Sequence, residues 1–208
     1  YVRGGDYQEP FEVRESGLPG RPIIISSFPG ETARIRPPQQ WDTIGRAGSG
    51  TILLHRVNYV WVHGFEVEGY PTEYGPVPGP NNYENNCITL TGGGGEGCRI
   101  LNNICSKAQH CGIKEQIYNR DYLIEGNICF DNGVNYLDHG MYLGTQKARG
   151  NVVRGNAVFR NSGYGLHLYQ NPDHAHVYNN LSFENGYAGI VESGHDNVLA
   201  HNVCLRNQ

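Results

Sequence analysis

Asparagines recur through the second half of this chain at a pace that only a stacked repeat explains. Asn103, Asn127, Asn156, Asn180 and Asn202 are separated by 24, 29, 24 and 22 residues. Each stands in a similar phrase: NNICSKAQ, GNICFDNG, GNAVFRNS, NNLSFENG, HNVCLRNQ. A second phrase keeps step (CITL, GIKE, GMYL, GLHL, GIVE), with apolar heads at Ile88, Ile113, Met141, Leu166 and Ile190. A period in the twenties marks a solenoid. Long runs with a helical apolar spacing are absent. Short β-branched runs between Gly, Asn and Asp read as strands between turns. One repeat holds three such runs, as in 141–143, 151–154 and 156–159. The spacing therefore predicts an all-β solenoid whose coils stack at about 4.8 Å, giving three parallel sheets around a narrow core. At a turn, asparagine satisfies backbone groups and tolerates left-handed angles. Stacked coil on coil, the amides can also bond one another along the axis.

Residues 51–208 resemble the right-handed parallel β-helix repeat proteins of the pectate-lyase-like superfamily, most plainly in HGMYLGTQKARGNVVRGNAVFRNSGYGLHLY. The opening, YVRGGDYQE followed by SGLPGRPIIISSFPGETARI, resembles the first coils of polysaccharide lyase family 6, which holds chondroitinase B and alginate lyases. The resemblance implies a right-handed parallel β-helix. It also implies a secreted or cell-surface protein of bacterial extracellular or periplasmic type, acting by β-elimination on a uronic-acid polysaccharide. In that family a lysine is the base, an arginine the acid, and acidic residues hold calcium. Lys114 can stand for the base by position alone. No arginine occupies the neighbouring outward columns, so no family residue is carried over.

One domain is expected over 1–208, with irregular first coils in 1–50, regular coils in 51–208, and inserted loops at 71–86 and 133–139. The apolar share of 38% suffices for a thin solenoid core. A net charge of −4 selects no partner, and no basic-aromatic cluster points to nucleic acid. No apolar run is long enough to span a membrane. Residues 1–10 read straight into a coil and Asn207-Gln208 stops within one. An uncapped coil exposes unpaired backbone edges. A piece of a longer chain, or ends that dock on further coils or chains, is expected. Cys105, Cys129 and Cys204 share one repeat position, filled elsewhere by Val158 and Ser182, which reads as a column of buried free thiols. Cys87 and Cys111 are the better disulfide candidates, ahead of Cys105 with Cys129.

Both inserted loops precede the strands of the CITL–GIVE sheet and should wall a groove beside it. If the apolar heads point inward, the next residues point out. That column is Thr89, Lys114, Tyr142, His167 and Val191, and a second holds Thr91, Gln116, Gly144, Tyr169 and Ser193. Glu115 and Glu192 then fall in an inward leucine column, an open conflict that a twist or bulge of the strands, or a corner position, would resolve. Lys114, Tyr142 and His167, approached by Asp138 and His139 from the inserted loop, suit proton abstraction and leaving-group protonation. Tyr74, Tyr83, Tyr136, Tyr169 and Gln116 are placed to hold sugar rings. Asp138 and Glu115, with Glu73 and Glu84, could supply oxygen to a calcium ion, although no calcium-loop motif is present. Paired carboxylates for hydrolysis are not expected, because Glu115 and Glu192 lie three coil steps, or roughly 14 Å, apart. A C5-epimerase shares the same proton abstraction. A non-catalytic surface, structural or carbohydrate-binding β-helix is the other expectation.

Overall fold

The computed structural model describes residues 1–37, 50–70, 85–93, 95–116, 119–144, 149–169 and 172–208. Among them every regular element is a strand of three to six residues. The strands form one eight-stranded and two seven-stranded sheets, and neighbours within a sheet come from successive coils. All named ladders are parallel. Ile113–Gln116, Leu123–Glu125 and Ile128–Phe130 make one coil; Met141–Gly144, Val152–Arg154 and Ala157–Phe159 make the next. This is a parallel β-helix with three strands per coil. The opening residues already obey the pattern. Gly5–Tyr7, Phe11–Val13 and Ile23–Ser26 each start one of the three sheets.

The core follows from strand alternation. Ile52, Ile88, Ile113, Met141 and Leu166 stack in register and are fully buried. So do Val62, Ile100, Ile124, Val153 and Val177 on a second sheet. Val67, Cys105, Cys129, Val158 and Ser182 fill the same role on the third.

The asparagine column is a hydrogen-bonded ladder. Nδ2 of Asn103, Asn127, Asn156 and Asn180 each donates to Oδ1 of the next, at 2.9–3.1 Å. The same Oδ1 atoms accept the backbone N–H of the preceding asparagine. Each Nδ2 also reaches a main-chain carbonyl, such as Ile100 O from Asn127 at 2.8 Å. The left-handed backbone angle falls one residue earlier than expected, at Asn102, Gly126, Gly155, Asn179 and His201. The corner turns there, and that turn points the ladder amide inward. A second ladder, which the repeat phrases contain but the single-column reading passes over, links Asn132, Asn161, Asn185 and Asn207.

Two expectations are corrected. All six cysteines are free thiols. Ile88 pairs with Ile113, so Cys87 lies opposite Gly112 rather than Cys111, and a disulfide would need a one-residue slip. Cys105 and Cys129 are buried as expected, whereas Cys204 is exposed. The inward glutamates need neither a bulge nor a corner position, since both pair in strand register. Glu115 pairs in register with Leu90 and Leu143, is fully buried, and takes a hydrogen bond from the Asn119 amide. Glu192 is held the same way by Asn197 at 2.6 Å. Each carboxylate thus bonds the turn that ends its own strand.

Replacing Asn127 by alanine leaves the buried Asn103 N–H and Ile100 carbonyl without their partners. At roughly 1–3 kcal/mol for each such group, Asn127→Ala is expected to lower the unfolding free energy by about 3 kcal/mol in a denaturant titration. A loss under about 0.5 kcal/mol would show that the ladder is not stabilising.

Candidate functional site

Strand register places the first three site residues side by side. Lys114 pairs with Tyr142, and Tyr142 with His167, so the three project from successive coils on one sheet face. The Lys114 ammonium lies 5.5 Å from the Tyr142 ring centroid. The Tyr142 and His167 rings meet edge to face at 5.5 Å. Lys114 is only 3% exposed, while Tyr142 and His167 are half-buried.

The segment 133–139 brings two further residues to the column. Asp138 Oδ2 accepts the backbone N–H of Val134 and of Asn135, both at 2.9 Å, and so folds the segment back on itself. The Asp138 carbonyl accepts the Gly163 N–H at 2.6 Å, tying the segment to the next coil. His139, now buried, takes the Tyr164 backbone N–H on Nδ1 at 3.1 Å, and its Nε2 lies 3.0 Å from His167 Nδ1. Gly163 makes this approach possible. A Cβ there would stand 2.5 Å from the Asp138 carbonyl oxygen and 2.6 Å from His139 Nδ1.

His110, which the sequence reading does not single out, completes the cluster from the preceding coil. Its Nε2 lies 3.6 Å from Asp138 Oδ1, and its Nδ1 lies 3.1 Å from Asn86 Oδ1. Burial pushes the imidazoles of His110 and His139 down to about 3, and that of His167 to about 4. Lys114 adds to the shift at His110, as do His167, His110 and Lys114 at His139. All three rings are neutral at neutral pH. Burial raises the Asp138 carboxyl, an effect opposed by its two backbone donors and by Lys114.

Tyrosines edge the cluster. Tyr169 lies beside His167, with ring centroids 5.1 Å apart. Tyr136 meets Tyr187 at 6.0 Å, and Tyr187 meets Tyr164 at 5.8 Å. Tyr164 and Tyr187 each stand just before a strand of that sheet, Leu166–Leu168 and Ile190–Glu192. Aligning SGYGLHL with NGYAGIVE would have revealed them. Gln116 is half-buried next to Gly144 on the same sheet. Tyr74, Tyr83, Glu73 and Glu84 lie outside the described residues. The structure therefore gathers Lys114, Asp138, His139, Tyr142, His167, Tyr169 and Tyr136, and turns Glu115 away into the core.

The described residues do not fit a calcium site. One Asp138 oxygen is occupied by backbone donors and the other faces His110. Among the described residues no three His, Cys, Asp or Glu side chains converge as metal ligands. A cavity of about 200 Å³ on another sheet is lined by Arg36, Glu66, Glu68, Lys107 and Phe130. Arg36 and Lys107 there already pair with Glu68, at 3.2 and 3.3 Å, which makes it a salt-bridged surface recess.

Residues 44–205 match the family described as the right handed beta helix region. The chain belongs to that right-handed β-helix family. Among solved structures it is similar to the pectate lyase Pel9A, with a TM-score of 0.64 at 18% sequence identity. The alignment covers 89% of this chain and 42% of the lyase, so the chain spans about two fifths of that protein's length. At this identity the likeness is one of fold. No curated protein matches significantly. Among the described residues no helix is long and apolar enough to cross a membrane.

The neutral histidines make stability depend on pH. Their folded values lie below the ordinary 6.5, so the unfolded chain takes up protons first as pH falls. Their contribution is complete above about pH 6.5 and is lost as pH drops toward 4 and 3. The melting temperature should fall steadily over that interval. His110→Gln should make the fall shallower, and an unchanged slope in that variant would remove His110 from the account.

Proposed function

We propose that this chain is a polysaccharide lyase that cleaves a uronic-acid polymer by β-elimination. The observation that carries the reading is the alignment of Lys114, Tyr142 and His167 on successive coils, with His139 bonded to the last. Elimination needs three things at one sugar: a base for the C5 proton, an acid for the departing C4 oxygen, and a donor to the carboxylate. Lys114, once its ammonium has lost a proton to solvent, takes the C5 proton as the free amine, and Tyr142 gives one to the leaving oxygen. The C5–H and C4–O bonds break, and a C4–C5 double bond forms. Return of the proton from Lys114 to its neighbour Tyr142 restores both groups. His167 meets the carboxylate. Tyr136, Tyr169 and Gln116 hold the flanking sugars, with Tyr164 and Tyr187 extending that wall. Such polymers are met outside the cell, which is where a secreted or surface-attached lyase would work. The β-helix fold, shared with a pectate lyase, supports a polysaccharide as the partner.

The burial of Lys114 favours a second reading, a non-catalytic carbohydrate-binding β-helix, in which Lys114 is a structural charge beside Asp138.

The test is the ultraviolet absorbance of unsaturated product from alginate, pectate and chondroitin, with and without a chelator. On the lyase reading one polymer yields product, and Lys114→Ala and Tyr142→Phe each lower kcat by about 100-fold or more without loss of fold. Product formation undiminished in Lys114→Ala would overturn the assignment. Glycan binding with no product would establish the binding module. Deuterium entering C5 from solvent without unsaturation would establish an epimerase.

A further inference from the structure

We propose that His139 is a positioning residue that fixes the tautomer of His167, so that His167 presents an N–H to the groove and serves as hydrogen-bond donor to the uronate carboxylate. The role at the carboxylate rests on the lyase reading; the tautomer does not. A backbone amide can only donate. The Tyr164 N–H lies 3.1 Å from His139 Nδ1, so that nitrogen carries a lone pair. His139 is 1% exposed and its ring is neutral at neutral pH, so its single ring proton sits on Nε2. That proton points at His167 Nδ1, 3.0 Å away, and His167 must accept it. The one proton of a neutral His167 is then on Nε2.

The polarity of the relay is set by a peptide bond and cannot reverse. Packing also holds the plane of the His139 ring. It stacks on Tyr142, at 5.8 Å and 10°, and on Tyr164, at 5.1 Å and 26°. Gly163 supplies the space for the short contact with the amide, since any Cβ there would strike His139 Nδ1. His167 therefore offers a proton to an oxygen acceptor, and its one lone pair, on Nδ1, is already taken by His139. Proton abstraction is left to Lys114, and the ligand recognised at His167 is an anionic or carbonyl oxygen.

The test uses two variants of nearly equal shape. Glutamine at 139 can accept the Tyr164 N–H and donate to His167, as histidine does. Glutamate at 139 can only accept, and so demands an Nδ1 proton on His167. Nitrogen-15 NMR of the histidine rings, recorded without substrate, reads the tautomer directly. The Nε2–H form of His167 is expected in the natural protein and in His139→Gln. The Nδ1–H form, or the imidazolium, is expected in His139→Glu. With a cleaved polymer in hand, His139→Glu should lose about 10–100-fold in kcat while His139→Gln stays close to the natural rate. An Nδ1–H tautomer of His167 in the natural protein would overturn the proposal, even if His139→Glu fails to fold. So would the same tautomer in both variants. If the expected tautomers are found while no polymer is cleaved, the relay stands and the lyase reading falls.

Discussion

Each coil of this molecule turns its corners inward on polar backbone, and only the next coil can satisfy it. The amide of Asn127 shows how. It takes the Asn103 N–H from one neighbour, donates to the Ile100 carbonyl, and donates again to Asn156 of the other neighbour. A buried amide or carbonyl without a partner is costly. A single coil therefore has no stable interior of its own. Stability is a property of adjacent pairs, as in other solenoids. The apolar columns of isoleucine, leucine and valine then fill a space whose cross-section the corners have already set.

Rigid corners set which side chains share the outer face of the sheet. Because parallel strands hold one register throughout, letters some 25 residues apart become neighbours, and Lys114, Tyr142 and His167 line up without any contact among themselves directing it. The extra residues between Asn127 and Asn156 are used to close the site. Asp138 folds them back, and His139 stacks on two tyrosines, Tyr142 and Tyr164. The withdrawal of three imidazoles from water keeps them neutral. The cluster thus presents oriented N–H donors and one ammonium rather than a set of diffuse cations.

Much of this was legible beforehand, because a periodic sequence makes register visible. The first ladder, the parallel sheets and the outward column all follow from spacing and the two-residue alternation of strands. The candidate disulfide between Cys87 and Cys111 is excluded by that same register. Ile88 faces Ile113, which sets the two sulfurs one residue apart. Glu115 resisted explanation because its partner, Asn119, lies in a turn, and nothing in strand periodicity reports on turn contacts. His110 and the bond from His139 to His167 were hidden for the same reason. They depend on how an inserted segment folds back, which repeat spacing does not encode. Tyr74 and Tyr83 belong to 71–84, outside the described residues.

The two ladders also act as a fixed gauge on chain length. Asn127 and Asn132, Asn156 and Asn161, Asn180 and Asn185, and Asn202 and Asn207 are all five residues apart, whereas the interval from one coil to the next varies from 22 to 29. Every change in length is confined to the remainder of the coil, since an insertion inside the five-residue span would pull both amides out of line at once. Length can therefore vary on either side of each CITL–GIVE strand while the strand between the two ladders stays fixed. A family built on this plan should vary its specificity through the segments that flank that sheet.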